Sequence, residues 1–446
     1  MEPLELARHV VGKLKSSGHQ AYFVGGCVRD ILLGEQPKDY DIATDARPDQ
    51  ITALFPDSGL VGAHFGVVLV RKLGAQVEVA TFRIDHAYVD GRHPAGVDFE
   101  TDPRQDVLRR DFTINALLLD PDRDEVLDFV GGRDDLRDHI VRAIGDPEAR
   151  FREDHLRILR AVRFAARLDY RLDHATVDAI RRFGRLIQTV SAERVRDELV
   201  RILTEGRARR GFELLDETGL LSEILPEVAA MKGVAQPPEF HPEGDVWTHT
   251  LMLLEHLRNP SPTLALGALL HDVGKPPTFR FANRIRFDGH VEKGMEMATG
   301  ILTRLRFSND EIRQVVALVA NHMRFKDAPQ MKVSTLKRFL RLENFPEHLE
   351  LHRLDCISSH GHLENYQLVQ QKMEELPQDQ LTPQPLITGD DLIAAGYRPG
   401  PAFARILATV EDAQLESKII SREDAMRLVH AQFRFPDGAL IDAAPG

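Results

Sequence analysis

Cysteine is nearly absent from this 446-residue chain: only Cys27 and Cys356 occur. Two thiols build neither a disulfide framework nor a thiolate zinc site, so no disulfide-linked partner is expected. Long apolar runs are missing as well. The longest candidate, around Leu264–Leu270, falls far short of the ~20 residues that a membrane-crossing helix requires, and no membrane association is expected. The opening MEPLELARHVVGKLK reads as an amphipathic helix. It has no basic start, apolar middle and small-residue cleavage site, as a secretory signal would, and the expected location is cytoplasmic. Repeats and low-complexity tracts are absent too.

What is present is ordinary globular material: 43% hydrophobic and 28% charged residues, enough at roughly 150 residues per domain for about three domains. Charge is unevenly spread. The chain carries −12 overall, yet residues 141–211 hold 17 Arg, no Lys and 11 acidic residues, a local +6 against −18 for the rest. Arginine favours planar, two-pronged contacts, so a basic middle in an acidic protein suggests a focused anion-binding surface. The competing reading is a set of helices laced with ion pairs.

Residues 1–140 mix strand and helix signals. Strands are expected at Ala21–Val24, Tyr40–Ala43 and Thr113–Leu119, with a hairpin of Gly66–Lys72 and Gln76–Phe82 turning at Gly74. Helical periodicity takes over across 141–231, with apolar Leu156, Leu159, Val162 and Ala166 at threes and fours. Residues 232–245, with Pro237, Pro238 and Pro242, read as a linker. Residues 246–365 are helical and hold nine of the 19 histidines, and 366–446 form a helical tail.

The densest chemistry lies near the start: Gly25-Gly26-Cys27-Val28-Arg29-Asp30, then Asp39-Tyr40-Asp41. Residues two apart on a strand face the same way, so Asp39 and Asp41 are expected to present paired carboxylates. Hard oxygen ligands suit Mg²⁺, and Glu78 on the hairpin is placed to add a third. Two metals held so would assist a hydroxyl attacking a phosphate. Gly26 lets backbone approach a triphosphate closely, and Arg29 has the fork to grip its oxygens.

In this order and spacing, these motifs resemble the polymerase-beta-like nucleotidyltransferases, more narrowly the bacterial class II tRNA nucleotidyltransferase and poly(A) polymerase family. The resemblance runs over about the first 225 residues. It implies an α+β fold: a head with a small mixed sheet, an all-α neck and body, and an all-α domain behind. Arg109-Arg110-Asp111-Phe112-Thr113-Ile114-Asn115 matches the family's second motif, which makes Arg110 a nucleotide contact and lets Asp111 or Asn115 read the sugar. Leu127-Asp128-Phe129-Val130-Gly131-Gly132 matches a hinge motif whose glycines would give freedom to move. Glu153-Asp154-His155-Leu156-Arg157 matches the motif that selects the base. Asp154 and Arg157, three apart on one expected helix, would read the edge of cytosine or adenine with no template. Arg160 and Arg163, further round that helix, are expected at phosphate or in the fold. Glu193–Leu199 resembles a fifth, bracing motif. Arg83–Pro94 resembles the flexible loop of enzymes that add the terminal A, which favours full CCA or A-only addition.

A second constellation follows: His249, His271-Asp272, His290, His322 and Asp355. Imidazole with carboxylate suits Zn²⁺, Mn²⁺, Ni²⁺ or Fe. The order resembles the HD superfamily of metal-dependent phosphohydrolases, which implies that His249, His271, Asp272 and Asp355 hold one metal, with His290 and His322 serving a second.

The resemblance therefore implies an enzyme that adds nucleotides from CTP and ATP to the tRNA 3′ end, with Mg²⁺ in the head and a transition metal behind. The Arg-rich neck would track RNA backbone. The rivals are an A-adding enzyme, a poly(A) polymerase, and an HD phosphodiesterase or phosphatase whose head merely binds RNA.

Overall fold

The computed structural model describes residues 1–60, 66–86, 88, 91, 94–239 and 241–433. Contacts divide the chain into two compact units: Met1–Val234 with Leu254–Ala265 and Gly300–Ser308, and the remainder.

The first unit is α+β. Its seven-stranded sheet runs in the order Ser58–Leu60, Val67–Lys72, Ala75–Thr81, Asp41–Thr44, Ala21–Val24, Leu118–Asp120, Glu125–Leu127. Every neighbouring pair is antiparallel except Asp41–Thr44 with Ala75–Thr81. The opening helix Pro3–Ser16 buries Leu6, Ala7, Val10, Val11 and Leu14, an apolar stripe at helical spacing. Asp102 and Asp146 each cap a helix that starts with proline, accepting from Arg104 N and Glu148 N. Behind the sheet come the helices Arg157–Leu168, His174–Phe183, Ala192–Thr204 and Ala208–Glu217. Gly211 is required there because a Cβ would lie 2.4 Å from Ile202.

Two expectations need correction. Thr113–Leu119 is not one strand: Thr113–Asn115 forms a 3-10 turn and the strand is Leu118–Asp120. Side-chain bonds from Thr113 Oγ1 to Asp135 and from Arg29 to Asn115 override the strand propensity of the segment. The glycines of the 127–132 motif are also not loose. Asp128 accepts from the amides of Val130, Gly131, Gly132 and Arg133. A Cβ on Gly132 would sit 2.3 Å from the Thr113 carbonyl oxygen. That turn is a clamp.

The second unit is helical and builds two small cores among the described residues. Phe325, Phe339 and Phe345 centre one. Leu392, Ile406, Val410 and Val429 centre the other, formed by the tail. Arg338, held by Glu411 and Asp412, and Lys337, donating to the Leu415 carbonyl, tie the tail to helix Val333–Leu340.

Candidate functional site

Parallel pairing sets Asp41 directly against Glu78 in register. Both residues are exposed on the sheet, and Val24, the strand end just before Gly25, pairs with Asp41. Asp39 lies in a bend just before the strand, so strand pleating does not align it with Asp41. Its charge is nonetheless felt there. Partial desolvation comes first, with Glu78 and Asp39 adding repulsion and Arg110 opposing; together they push the Asp41 carboxyl up to about 6. A carboxylate crowded by two others is the electrostatic signature of a site that wants a cation. The three carboxylates have the hard oxygen donors that suit Mg²⁺, but they are not among the groups that stand at metal-ligand spacing among the described residues.

Gly25 has φ +78°, and a Cβ there would lie 3.7 Å from Asp41 Oδ2 and 3.9 Å from Arg110 Nη1. Arg110 is aimed by Asp106, which accepts from its Nε and Nη2 at 3.2 and 2.7 Å. Asp106 also takes Arg109 at 2.6 Å. Burial disfavours its charge, yet the two guanidiniums hold its carboxyl below the usual range. Arg110 therefore offers its outer nitrogen beside the carboxylate cluster. Asp106 had no role in the sequence reading; its spacing of three and four from the arginines was the available signal.

Arg29 is placed differently from expectation. It is 2% exposed, and its guanidinium binds Asp30 at 2.6 Å and Asn115 at 2.7 Å. It positions those groups under Gly26 and does not present a fork to solvent. Asn115 in turn reaches Asp111 at 3.5 Å.

The expectation that Asp154 and Arg157 share one helix is also corrected. Asp154 is the extended residue (φ −136°) that ends helix Pro147–Glu153, and the next helix begins at Arg157. Arg194 binds both Asp154 oxygens at 3.0 and 3.1 Å. Arg157 is 8% exposed and bonds Glu153 at 2.5 Å, with the Arg150 and Arg109 carbonyls completing its shell. Arg160 pairs with Asp111 at 2.6 Å, and Arg163 with Glu198 at 2.6 Å while lying 4.2 Å over Phe164. Much of the neck's arginine charge is thus internal ion pairing, and Asp154 with Arg157 reaches solvent only at its edge. The segment 83–94 lies partly outside the described residues. Within it, the Gly91 carbonyl accepts from His155 N at 3.1 Å, so this loop touches the Asp154 segment.

In the second unit all six expected positions converge. His271, His290 and His322 each turn Nδ1 to a backbone carbonyl, of Ala268, Phe287 and Val319 at 3.0, 2.9 and 2.6 Å. Each Nε2 is left without a hydrogen bond. Such bonds put the proton on Nδ1 and leave the Nε2 lone pair for a metal. Asp272, His290 and His322 form one group with metal-ligand spacing; His249, His271 and Asp355 form another. His249 Nε2 lies 3.0 Å from Asp355. Burial opposes Asp272's charge, but His271 and Lys275 hold its carboxyl well below the usual range, whereas burial pushes His322 down to about 4. Burial opposes the charge of His249, yet Asp355 and Glu243 push its imidazole up to about 9; the open Nε2 atoms of the other histidines beside these carboxylates have the donor chemistry of a divalent transition-metal site. The sequence reading missed Glu243, whose Oε1 lies 2.7 Å from His249 Nδ1 and accepts from His241 at 2.9 Å.

Comparison with known proteins matches residues 21–142 to the "Poly A polymerase head domain", 169–232 to the "Probable RNA and SrmB- binding site of polymerase A", and 290–429 to a second domain of tRNA nucleotidyltransferases. The chain is 34% identical over 425 residues to a CC-adding tRNA nucleotidyltransferase of Thermus thermophilus, covering 91% of this chain and 92% of that one. It is 40% identical over 254 residues to a CCA-adding enzyme of Lactobacillus helveticus, across 56% of this chain and 63% of the relative. Its fold matches the crystal structure of the Bacillus stearothermophilus CCA-adding enzyme in complex with CTP, with TM-score 0.74, 26% identity and coverage of 97% and 99%. Among the described residues no helix is long and apolar enough to cross a membrane.

Proposed function

The chain belongs to the family of tRNA nucleotidyltransferases and poly(A) polymerases, and on that premise we propose that it extends tRNA 3′ ends with nucleotides from CTP and ATP, untemplated. The observation that carries this reading is the register that sets Asp41 against Glu78 beneath Gly25 and Arg110. The RNA 3′-oxygen bonds to the α-phosphorus as the bond to pyrophosphate breaks, and the hydroxyl proton passes to solvent. Asp39, Asp41 and Glu78 would hold Mg²⁺, which when bound supplies charge against the reacting phosphates. Arg110, steered by Asp106, binds triphosphate oxygens in the gap that Gly25 leaves open. Arg29 fixes Asn115 and Asp111 for the ribose. Asp154, braced by Arg194, and Arg157 select the base.

Full CCA addition is the preferred form, because the 83–94 segment of the terminal-A type is present and contacts the Asp154 segment through Gly91. The Thermus relative, a CC-adding enzyme, makes CC addition the alternative. Incubation with CTP and ATP on tRNA transcripts lacking one or all three terminal nucleotides, read at single-nucleotide length, separates them. CCA addition completes both transcripts and stops. CC addition leaves the final A missing, A-only addition completes just the nearly finished one, and a poly(A) polymerase runs on.

The second unit is proposed as an HD-type phosphohydrolase centre. The three unbonded Nε2 atoms facing Asp272 support it. His249, His271, Asp272 and Asp355, with His290 and His322, would hold a transition metal such as Mn²⁺, Ni²⁺, Zn²⁺ or Fe, which when bound supplies Lewis acidity toward a phosphoester. Lys275, bonded to Asp272 at 2.6 Å, braces that carboxylate. Hydrolysis of bis(4-nitrophenyl) phosphate on adding Mn²⁺ tests it, and loss of turnover in His271→Ala is the expected control.

A further inference from the structure

Phe164, on helix Arg157–Leu168, is 5% exposed, yet three guanidiniums lie against its ring. Arg163 is 4.2 Å from the ring centre, and Arg29 and Arg160 are each 5.4 Å away. Arg160 and Arg163 share the helix of the ring itself, whereas Arg29 comes from the head helix Gly26–Leu32. Phe112 meets the ring edge-on, 5.7 Å away at 74°. Burial alone explains an apolar neighbour such as Phe112 but not the cations, because like charges brought together repel. Their carboxylate partners offset part of that repulsion, and the negative faces of an aromatic ring attract each guanidinium.

Two of these three arginines reach the Asp111–Asn115 pair with the same guanidinium. Arg29 Nη1 donates to Asn115 Oδ1 at 2.7 Å, and Arg160 gives Nε and Nη2 to Asp111 Oδ2 at 2.9 and 2.6 Å. The other Asp111 oxygen accepts from Phe112 N at 2.8 Å and from Asn115 Nδ2 at 3.5 Å. Arg29 thereby sets the orientation of the Asn115 amide, with its oxygen on the guanidinium and its nitrogen toward Asp111. Arg163 pairs instead with Glu198. One ring therefore supports both props of the pair, one from the head and one from the neck.

We propose that Phe164 is a positioning residue for sugar selection: its ring seats Arg29 and Arg160, and through them sets Asn115 and Asp111 against the ribose of the incoming nucleotide. The inference rests on the ribose reading of Asp111 and Asn115 above and adds the residue that holds their two arginines together. An aliphatic side chain in its place fills much of the volume but has no negative face. The two cations then separate and draw Asn115 and Asp111 out of register. A site built to bond a hydroxyl discriminates against an analogue lacking it only while its polar groups stay in place.

Single-nucleotide incorporation from CTP and from dCTP, in Mg²⁺, into a tRNA transcript lacking its terminal CCA tests it. Wild type is expected to prefer CTP. Phe164→Leu should cut that preference about tenfold, a size that loss of buried cation–π contacts allows, with kcat/KM falling for CTP and changing little for dCTP. Phe164→Tyr, which keeps the ring, should restore most of the preference. Where circular dichroism shows Phe164→Leu unfolded, Arg160→Lys carries the same expectation, since a lysine keeps the charge but loses the flat fork that rests on the ring. Equal losses for CTP and dCTP, or an unchanged ratio in a folded variant, would reduce Phe164 to core packing and overturn the proposal. Wild type that transfers both nucleotides equally would remove the ribose reading, and the proposal with it, while leaving nucleotidyl transfer standing. No transfer of either by wild type would remove the transferase reading itself.

Discussion

Asp41 and Glu78 are cross-strand partners in the one parallel pairing of the head sheet. The fold thereby brings two negative groups from distant segments to one face, and desolvation first, with repulsion from Glu78 second, lifts the Asp41 carboxyl to about 6. A carboxyl raised in the fold costs stability above its unfolded value near 4, and the cost is relieved as the pH falls through 6. Two outcomes follow. Asp41→Asn should raise the melting temperature of the metal-free protein at pH 7 while lowering nucleotide transfer by about 10³-fold or more. Mg²⁺ affinity and activity should fall below about pH 6 as the carboxyl takes up a proton. Calorimetry and Mg²⁺ titrations across pH check both; an unchanged or lowered melting temperature contradicts the electrostatic account.

Arg163 and Glu198 form a buried pair between two neck helices, 4% and 5% exposed at the side chain. Removing one partner strands the other charge, which typically costs about 3–5 kcal/mol. Glu198→Ala should shift urea unfolding, followed by circular dichroism, to lower concentration. Arg163→Met with Glu198→Leu should recover most of the loss. A single substitution without effect would show that the pair is not a brace.

Arg194 holds both oxygens of Asp154, so it should act on base choice while touching no substrate. Arg194→Ala is expected to raise UTP misincorporation about tenfold, equivalent to ~1.4 kcal/mol of lost discrimination, with kcat for CTP changed little. Arg194→Lys should restore part of the selectivity. Equal losses for all nucleotides would reassign Arg194 to the fold alone.

Glu243 orients His249 from the side away from Asp355. Carboxylates behind metal-binding imidazoles typically contribute 10–100-fold in affinity. Glu243→Ala should therefore weaken Mn²⁺ binding to the second unit by about that factor in calorimetric titration, and Glu243→Gln by less. Unaltered affinity would limit Glu243 to packing.

The sequence carried the chemistry better than its local geometry. Asp41 and Glu78 fall on strands that alternation and turn signals place, whereas the six histidine and aspartate positions lie on separate segments that no single period links; only their order resembles the HD pattern, and the fold brings them together. The helix break at Asp154 was not legible: Glu153–Arg157 has no proline or glycine, and only the Arg194 and Glu153 ion pairs reveal why the chain turns there. Arg29 looked like a phosphate ligand because an arginine after a glycine pair gives no sign of its burial against Asn115, 86 residues away. Glu243 was hidden inside a proline-rich segment that reads as a linker, six positions before the histidine it serves.

The most direct test of the central claim is transfer of radiolabel from α-labelled CTP, in Mg²⁺, to a tRNA transcript lacking its terminal CCA, by wild type and Asp41→Ala side by side. The account predicts labelled tRNA lengthened by a fixed few nucleotides with wild type and none with the variant, which should remain folded by circular dichroism. No label with wild type, or equal label with both, would contradict it.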